Sequence, residues 1–287
     1  MTPSTSPDLH LGLTPAELAS SPYAPFFDPV MQPLPEHVRE ALAVGAVAHA
    51  LLPPVSRARE LQRSGYAAVE TGYTVCPNGA VHIAALTRMP GVTPAMWDWW
   101  FAWHGSEAQR YKLWHPDAHV HVGWQDGLGE LDHYVGRISQ VVEYVGAQLL
   151  RVEVGFVAPR MLGLDEAQLQ SSGETAICAR LGMTVGGIAA KSGWLLHHIR
   201  PVQGGAEMRS RFWLAGPNVR LMGWEGAAGR WLGNVAGKLL SPPRHQVTEL
   251  LVHDAQEMQH LAAILPRLYA TFGPGGAAAT ASAGTRT

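Results

Sequence analysis

VTELLVHDAQEMQHLAAILPRLYATF, residues 247–272, is the longest helical pattern in the chain. Leu250, Leu251, Met258, Leu261, Ile264, Leu265 and Leu268 recur at steps of three and four, the period of one helix face turned to a core. Pro266 removes a backbone donor and predicts a kink there, or an end to the first part of the helix. Upstream, 193–202 and 206–214 alternate like strands about the turn Gln203-Gly204-Gly205. Further strand-like runs lie at 66–74, 81–87, 134–145, 149–158 and 176–181, with Pro77-Asn78-Gly79 as a turn between the first two. Strands grouped in the middle and a long closing helix predict an α+β fold, a curved antiparallel sheet gripping that helix, rather than alternating βαβ units.

Around this centre the rest of the chain falls into place. Residues 1–60 read as an N-terminal arm with a short helix after Pro35, 61–273 as the main domain, and 274–287 as a low-complexity, disordered tail. The charged segment 55–65 predicts a surface stretch. Thr93-Pro94 predicts a helix start, and the aromatic run Trp97–Trp103 that follows reads as core before pocket wall. Residues 217–243 are Gly-rich and predict a loose segment, in which Trp224 and Trp231 could serve a lid.

Composition excludes several classes. With 47% apolar and 15% charged residues in 287, the chain can bury a large core and is not intrinsically disordered. A formal charge of −2 leaves no basic footprint for nucleic acid, and no apolar run is long enough to span a membrane. The first residues, MTPSTSPDLH, lack the pattern of a secretory signal, and two cysteines without metal spacing fit a reducing cytoplasm.

The chemistry gathers in a few places. His253, Glu257 and His260 share a helix face, where an imidazole and a carboxylate one turn apart can reach one cation such as zinc. A solvated polar face is the bland alternative. His115, His119 and His121 form a second group, with His119 and His121 on one face of a strand, and Glu143 sits in an apolar strand that would demand a partner for a buried carboxylate. Of the adjacent His197 and His198 only one can face the interior, while Arg209 and Arg211 read as surface decoration. No nucleophile elbow, phosphate loop or dinucleotide fingerprint is present.

Four segments also resemble one known family. MWDWWFAWHGSEAQRYKLWHPDAHVHVGW (96–124), VGRISQVVEYVG (135–146), GWLLHHIRPVQGGAEMRSRFWLAG (193–216) and LLVHDAQEMQHLAAILPRLYATFG (250–273) are similar, in order, to the 2,4-diacetylphloroglucinol hydrolase family, which includes phloretin hydrolases. The resemblance implies a Bet v1-like helix-grip fold, a homodimer, and a zinc-dependent hydrolase that cleaves the carbon–carbon bond between an acyl group and a polyhydroxylated aromatic ring. It implies zinc held by Glu143, His253, Glu257 and a histidine of the WHPDAH segment, His119 first and His115 second. It assigns catalytic roles to His197 and Tyr111, and substrate contacts to Tyr111, His197 and Phe212. Two other readings stay open: a helix-grip protein that only binds an aromatic ligand, and a metal-dependent ester or amide hydrolase on the same scaffold.

Overall fold

Residues 244–272 form one 29-residue helix, α7 (Arg244–Phe272), in the computed structural model, which describes residues 9–277 except 186, 225 and 240. Val247, Leu251, Met258, Leu261, Leu265 and Leu268 of its inner face are buried, each such side chain contributing about 1.5–3 kcal/mol. The expected end at Pro266 does not occur, and the helix runs on to Phe272. Packing makes up for the missing hydrogen bond: Phe272 stacks on Trp103 at 5.3 Å and meets Tyr23 edge-on at 5.4 Å.

Around α7 lies a single antiparallel sheet. Its strands among the described residues are β1 (Gly72–Val75), β2 (Ala80–Pro90), β3 (His119–Trp124), β4 (Ile138–Val145), β5 (Gln148–Val157), β6 (Thr175–Val185), β7 (Ile188–Val202), β8 (Gly205–Ala215) and β9 (Arg220–Leu221). Their spatial order is β1-β2-β8-β7-β6-β5-β4-β3, with β9 on β7. Helix α7 touches β1 and β2 towards one end of that order and β4 towards the other, so the sheet must bend around it. This is the predicted α+β architecture. Two further helices, α3 (Pro94–Trp103) and α4 (Ala108–Trp114), close one end of the grip, and Trp97, Trp100 and Trp103 are core, as expected. Of the short helices α1 (Pro15–Ser20), α2 (Glu36–Val44) and α5 (Glu166–Ser172), α2 buries Val38 in the core and touches α7 and β1.

Three expectations need correction. The first predicted strand is shorter, with 66–71 irregular before β1. The segment Val55–Gln62 is a 3-10 helix that exposes its arginines but buries Ala58 and Leu61 against the outer face of the sheet. The supposedly loose stretch 217–243 contains a fourteen-residue helix, α6 (Gly226–Leu239). Gly229, Gly233 and Gly237 recur every four residues because that face lies against other backbone. A Cβ on Gly233 would stand 2.8 Å from the Val219 carbonyl oxygen, and one on Gly237 would stand 2.1 Å from that of Gly216. The opposite face leaves Trp231, Val235 and Leu239 exposed. Of the predicted disordered tail, residues 278–287 lie outside the described residues.

Candidate metal centre and cavity

Strand β3 does not keep regular register with β4. His119 pairs with Glu143 but His121 pairs with Val142, so Val120 is an extra residue, a β-bulge. His119 and His121 therefore point to opposite faces, contrary to the one-face expectation. His119 turns inward and is fully buried, whereas His121 opens on the outer surface beside Gln140 and Arg151.

Inward, three elements converge. One ligand atom each from His119 of β3, Glu143 of β4 and His253 of α7 lies within 4.8 Å of the others. Glu257, one helical turn beyond His253, joins them: its Oε2 is 3.2 Å from His119 Nε2 and 3.7 Å from His253 Nε2. The ring of His119 is already oriented for this. Its Nδ1 donates to the Tyr111 carbonyl at 2.9 Å, leaving an Nε2 lone pair without a hydrogen-bond partner and aimed at the carboxylates. The Tyr111 ring stacks on His119 at 3.8 Å, and its hydroxyl donates to Glu143 Oε2.

Burial sets the charge states. It pushes the His119 imidazole down to about 4 and His253 to about 3, so both are neutral lone-pair donors at physiological pH. Burial, and then the nearby Glu143 charge, hold the Glu257 carboxyl well above its usual range. Two carboxyls and two neutral imidazoles in a buried space form an acid-rich donor set that a divalent cation would neutralise, and the nitrogen and oxygen mixture suits zinc. The residues present therefore fit such an ion.

Glu143, His253 and Glu257 border a cavity of about 190 Å³ between the sheet and α7. Its walls are mainly apolar: Phe101, Trp114, Val141, Val152, Phe156, Leu195, Phe212 and Leu214 contribute, with Leu250 from α7. Its polar groups are Tyr111, Glu143, His197, His253 and Glu257, together with His104, Ser139 and Ser192. His197 faces this space from β7, and burial pushes it down to about 3. Phe212 stands beside it, ring centres 6.1 Å apart at 84°.

Most predicted site residues thus come together: His119, Glu143, His253, Glu257, Tyr111, His197 and Phe212. His115 does not join the donors. Its ring stacks on His253 at 4.9 Å, but it lines a separate surface pocket with Asp117 and Glu249. His260 is buried on the same helix with neither ring nitrogen bonded, and lies outside the group. Of the aromatic run, Phe101 reaches the cavity while the tryptophans stay in the core. Sequence reading missed His104, Ser139, Ser210 and Asp254. His104 hides in the aromatic run, and the other three carry no spacing signal. Arg209 and Arg211, expected on the surface, are buried on the outer face because both bind Glu70.

Comparison with known proteins supplies the remaining observations. Residues 51–270 match the family described as DAPG hydrolase PhiG domain. The chain is 30% identical over 268 residues to a 2,4-diacetylphloroglucinol hydrolase of a Pseudomonas species, with 90% of each chain covered. It is 27% identical over 286 residues to a phloretin hydrolase of Eubacterium ramulus, with 93% of this chain and 95% of that one covered. Among solved structures, Ara h 8.0201 aligns with a TM-score of 0.31 at 10% identity, over 61% of this chain and 97% of that chain. The protein Ms6760 of Mycobacterium smegmatis gives 0.37 at 12% identity, over 69% and 98%.

Proposed function

Because this chain belongs to the DAPG hydrolase PhiG family, we propose that it hydrolyses the carbon–carbon bond between an acyl group and a polyhydroxylated aromatic ring, with zinc held by His119, Glu143, His253 and Glu257. The observation that carries this reading is the convergence of four donor side chains from β3, β4 and α7 at the wall of an aromatic-lined cavity. When bound, zinc would supply Lewis-acid polarisation of the substrate carbonyl and make water more acidic.

The chain's own residues do the rest. Phe101, Phe212 and Trp114 wall an aromatic ring and keep bulk water from it. Burial and the neighbouring Glu143 raise the Tyr111 hydroxyl well above its ordinary value, so it remains a hydrogen-bond donor at the cavity wall. His197, neutral and facing the same space, carries a proton from a ring hydroxyl to the acyl-bearing ring carbon. The ring then stands as a keto tautomer, and water adds to the acyl carbonyl. The carbon–carbon bond breaks with its electron pair going to the ring, giving a carboxylic acid and the deacylated phenol. Phe212 offers no hydroxyl, so ring recognition at that position is by contact alone.

The reading extends to residues 61–273 as the catalytic unit, a homodimer, and a cytoplasmic enzyme. The free state of Cys76 and Cys178 supports a reducing compartment. Metal analysis of the purified protein and acid release from acylphloroglucinols test the central claim. Stoichiometric zinc and acid formation are expected; full activity in metal-free protein overturns it.

A further inference from the structure

Asp254 is 0% exposed, and among the described residues neither of its carboxyl oxygens completes a hydrogen bond. It sits between His253 and Glu257 in α7 but not in the donor group, because one residue along a helix turns a side chain by about 100°. The groups facing it from the sheet are on β7 and β8. Its Oδ1 is 4.0 Å from His197 Nδ1, and the Ser210 hydroxyl also lies at its carboxyl. Arg211 and Glu257 are the other charged groups near it. Ser210 and His197 are register partners, and Ser210 Oγ is 2.8 Å from His197 Nδ1. A buried polar side chain without partners is costly, so its place in a packed helix calls for a reason. Among the described residues nothing else in the cavity wall ties down the His197 ring: its contacts with Phe101 and Phe212 are through the ring face and edge, and Nδ1 meets this pair.

We propose that Asp254 is a positioning residue that acts through Ser210 on His197, fixing the orientation of the Ser210 hydroxyl and thereby the tautomer and tilt of the imidazole presented to the substrate. The inference rests on the proton-transfer role given to His197 above. A hydroxyl between a carboxyl and an imidazole can point its hydrogen only one way at a time, so the carboxyl dictates which partner Nδ1 meets. Nε2, the nitrogen left for the cavity, is then uniform across the population. The single helix α7 would in this way set both the metal ligands and the proton-handling ring in one geometry.

The test compares zinc-loaded wild type with Asp254→Ala, Asp254→Asn, Ser210→Ala and His197→Ala, each also built in pairs. Asp254→Ala and Ser210→Ala should each lower kcat roughly 10- to 100-fold, the range for outer partners of catalytic groups, with KM and zinc content held. Asp254→Asn, which keeps the shape and one acceptor oxygen for the Ser210 hydroxyl, should recover most of the loss. In the His197→Ala background, Asp254→Ala should cost nothing further. An Asp254→Ala loss that persists in full without His197, or a kcat equal to wild type, overturns the inference. A His197→Ala variant as active as wild type instead overturns the reading on which it rests. If Asp254→Ala fails to fold, Ser210→Ala and the Asn variant decide by the same criteria.

Discussion

His197 and His198 are chain neighbours on β7, both almost fully buried, and they face opposite worlds. His198 looks to the outer face, where its Nε2 meets Glu174 at 2.9 Å. Beside it Arg209 and Arg211 share Glu70, and Arg209 also donates to the Leu61 carbonyl at 2.7 Å. A cavity of about 190 Å³ lies there too, as large as the one inside. On the inner face His119 Nε2, Ser139 Oγ and both oxygens of Asp254 have no hydrogen-bond partner among the described residues. Burial and cavity size do not distinguish the two faces. The pairing of charges does: outside, Glu70 and Glu174 are each held by a basic side chain, although His198 Nδ1 is left without a partner, whereas inside the unpaired atoms gather at and beside the donor group.

The largest effect expected from breaking this contrast is at Glu257. Glu257→Gln removes a ligand and should cut acid release by more than the roughly 100-fold reached by outer-sphere changes, with loss of bound zinc, while the metal-free protein stays as stable as wild type. Chemical denaturation of both metal-free proteins together with turnover assays decides it, and a large fall in stability would erase the distinction between the faces. Glu70→Leu should do the opposite. It strands two buried guanidiniums and should destabilise by about 3–5 kcal/mol, with turnover per folded molecule intact.

Acid sharpens the same point. Burial works to raise Glu70, but Arg209 and Arg211 outweigh it and hold the carboxyl below its ordinary value. Its folded form is therefore the better acid, so the stabilisation is complete above an ordinary carboxylate pKa of about 4.3 and drains away as pH falls through the lowered one. Thermal scans from neutral to acid should show wild type losing stability in that window and Glu70→Gln showing a shallower fall. The smallest effect belongs to His198→Gln, which should cost about 1.5–3 kcal/mol through the Glu174 bond and leave kcat unchanged. Set beside the kcat collapse of the adjacent His197→Ala, equal losses of activity would break the comparison at its narrowest point.

What could be read in advance follows from the range of each interaction. Helix α7 announces itself because its apolar period and the i,i+4 pair His253/Glu257 are local. Strand β7 and its hairpin are local as well, and the four resemblance segments carried the remaining site residues. The bulge at Val120 left no trace, for its sequence VHV alternates like any strand, so His119 and His121 read as equivalent. Arg209 and Arg211 read as surface because Glu70, which buries them, lies 139 and 141 residues away in the chain. The glycines of α6 read as looseness when they are contact points with backbone. Asp254 read as one more polar residue on a helix, since its meaning lies in Ser210 across the interior.

The extra residue at Val120 has a consequence for anyone moving this centre to another scaffold. His119 and Glu143 are register partners and so share the inner face, while the extra residue sets the nearby His121 opposite Val142 on the outer one; a residue placed one position off this pairing would swing to the far side of the sheet. A transplant must therefore keep the His119–Glu143 pairing itself, whether or not the irregular step beyond it is copied. In the native chain the same feature is one residue of slack between an inward and an outward histidine: deleting Val120 would leave His119 opposite Glu143 and His121 opposite Val142, now in ordinary register.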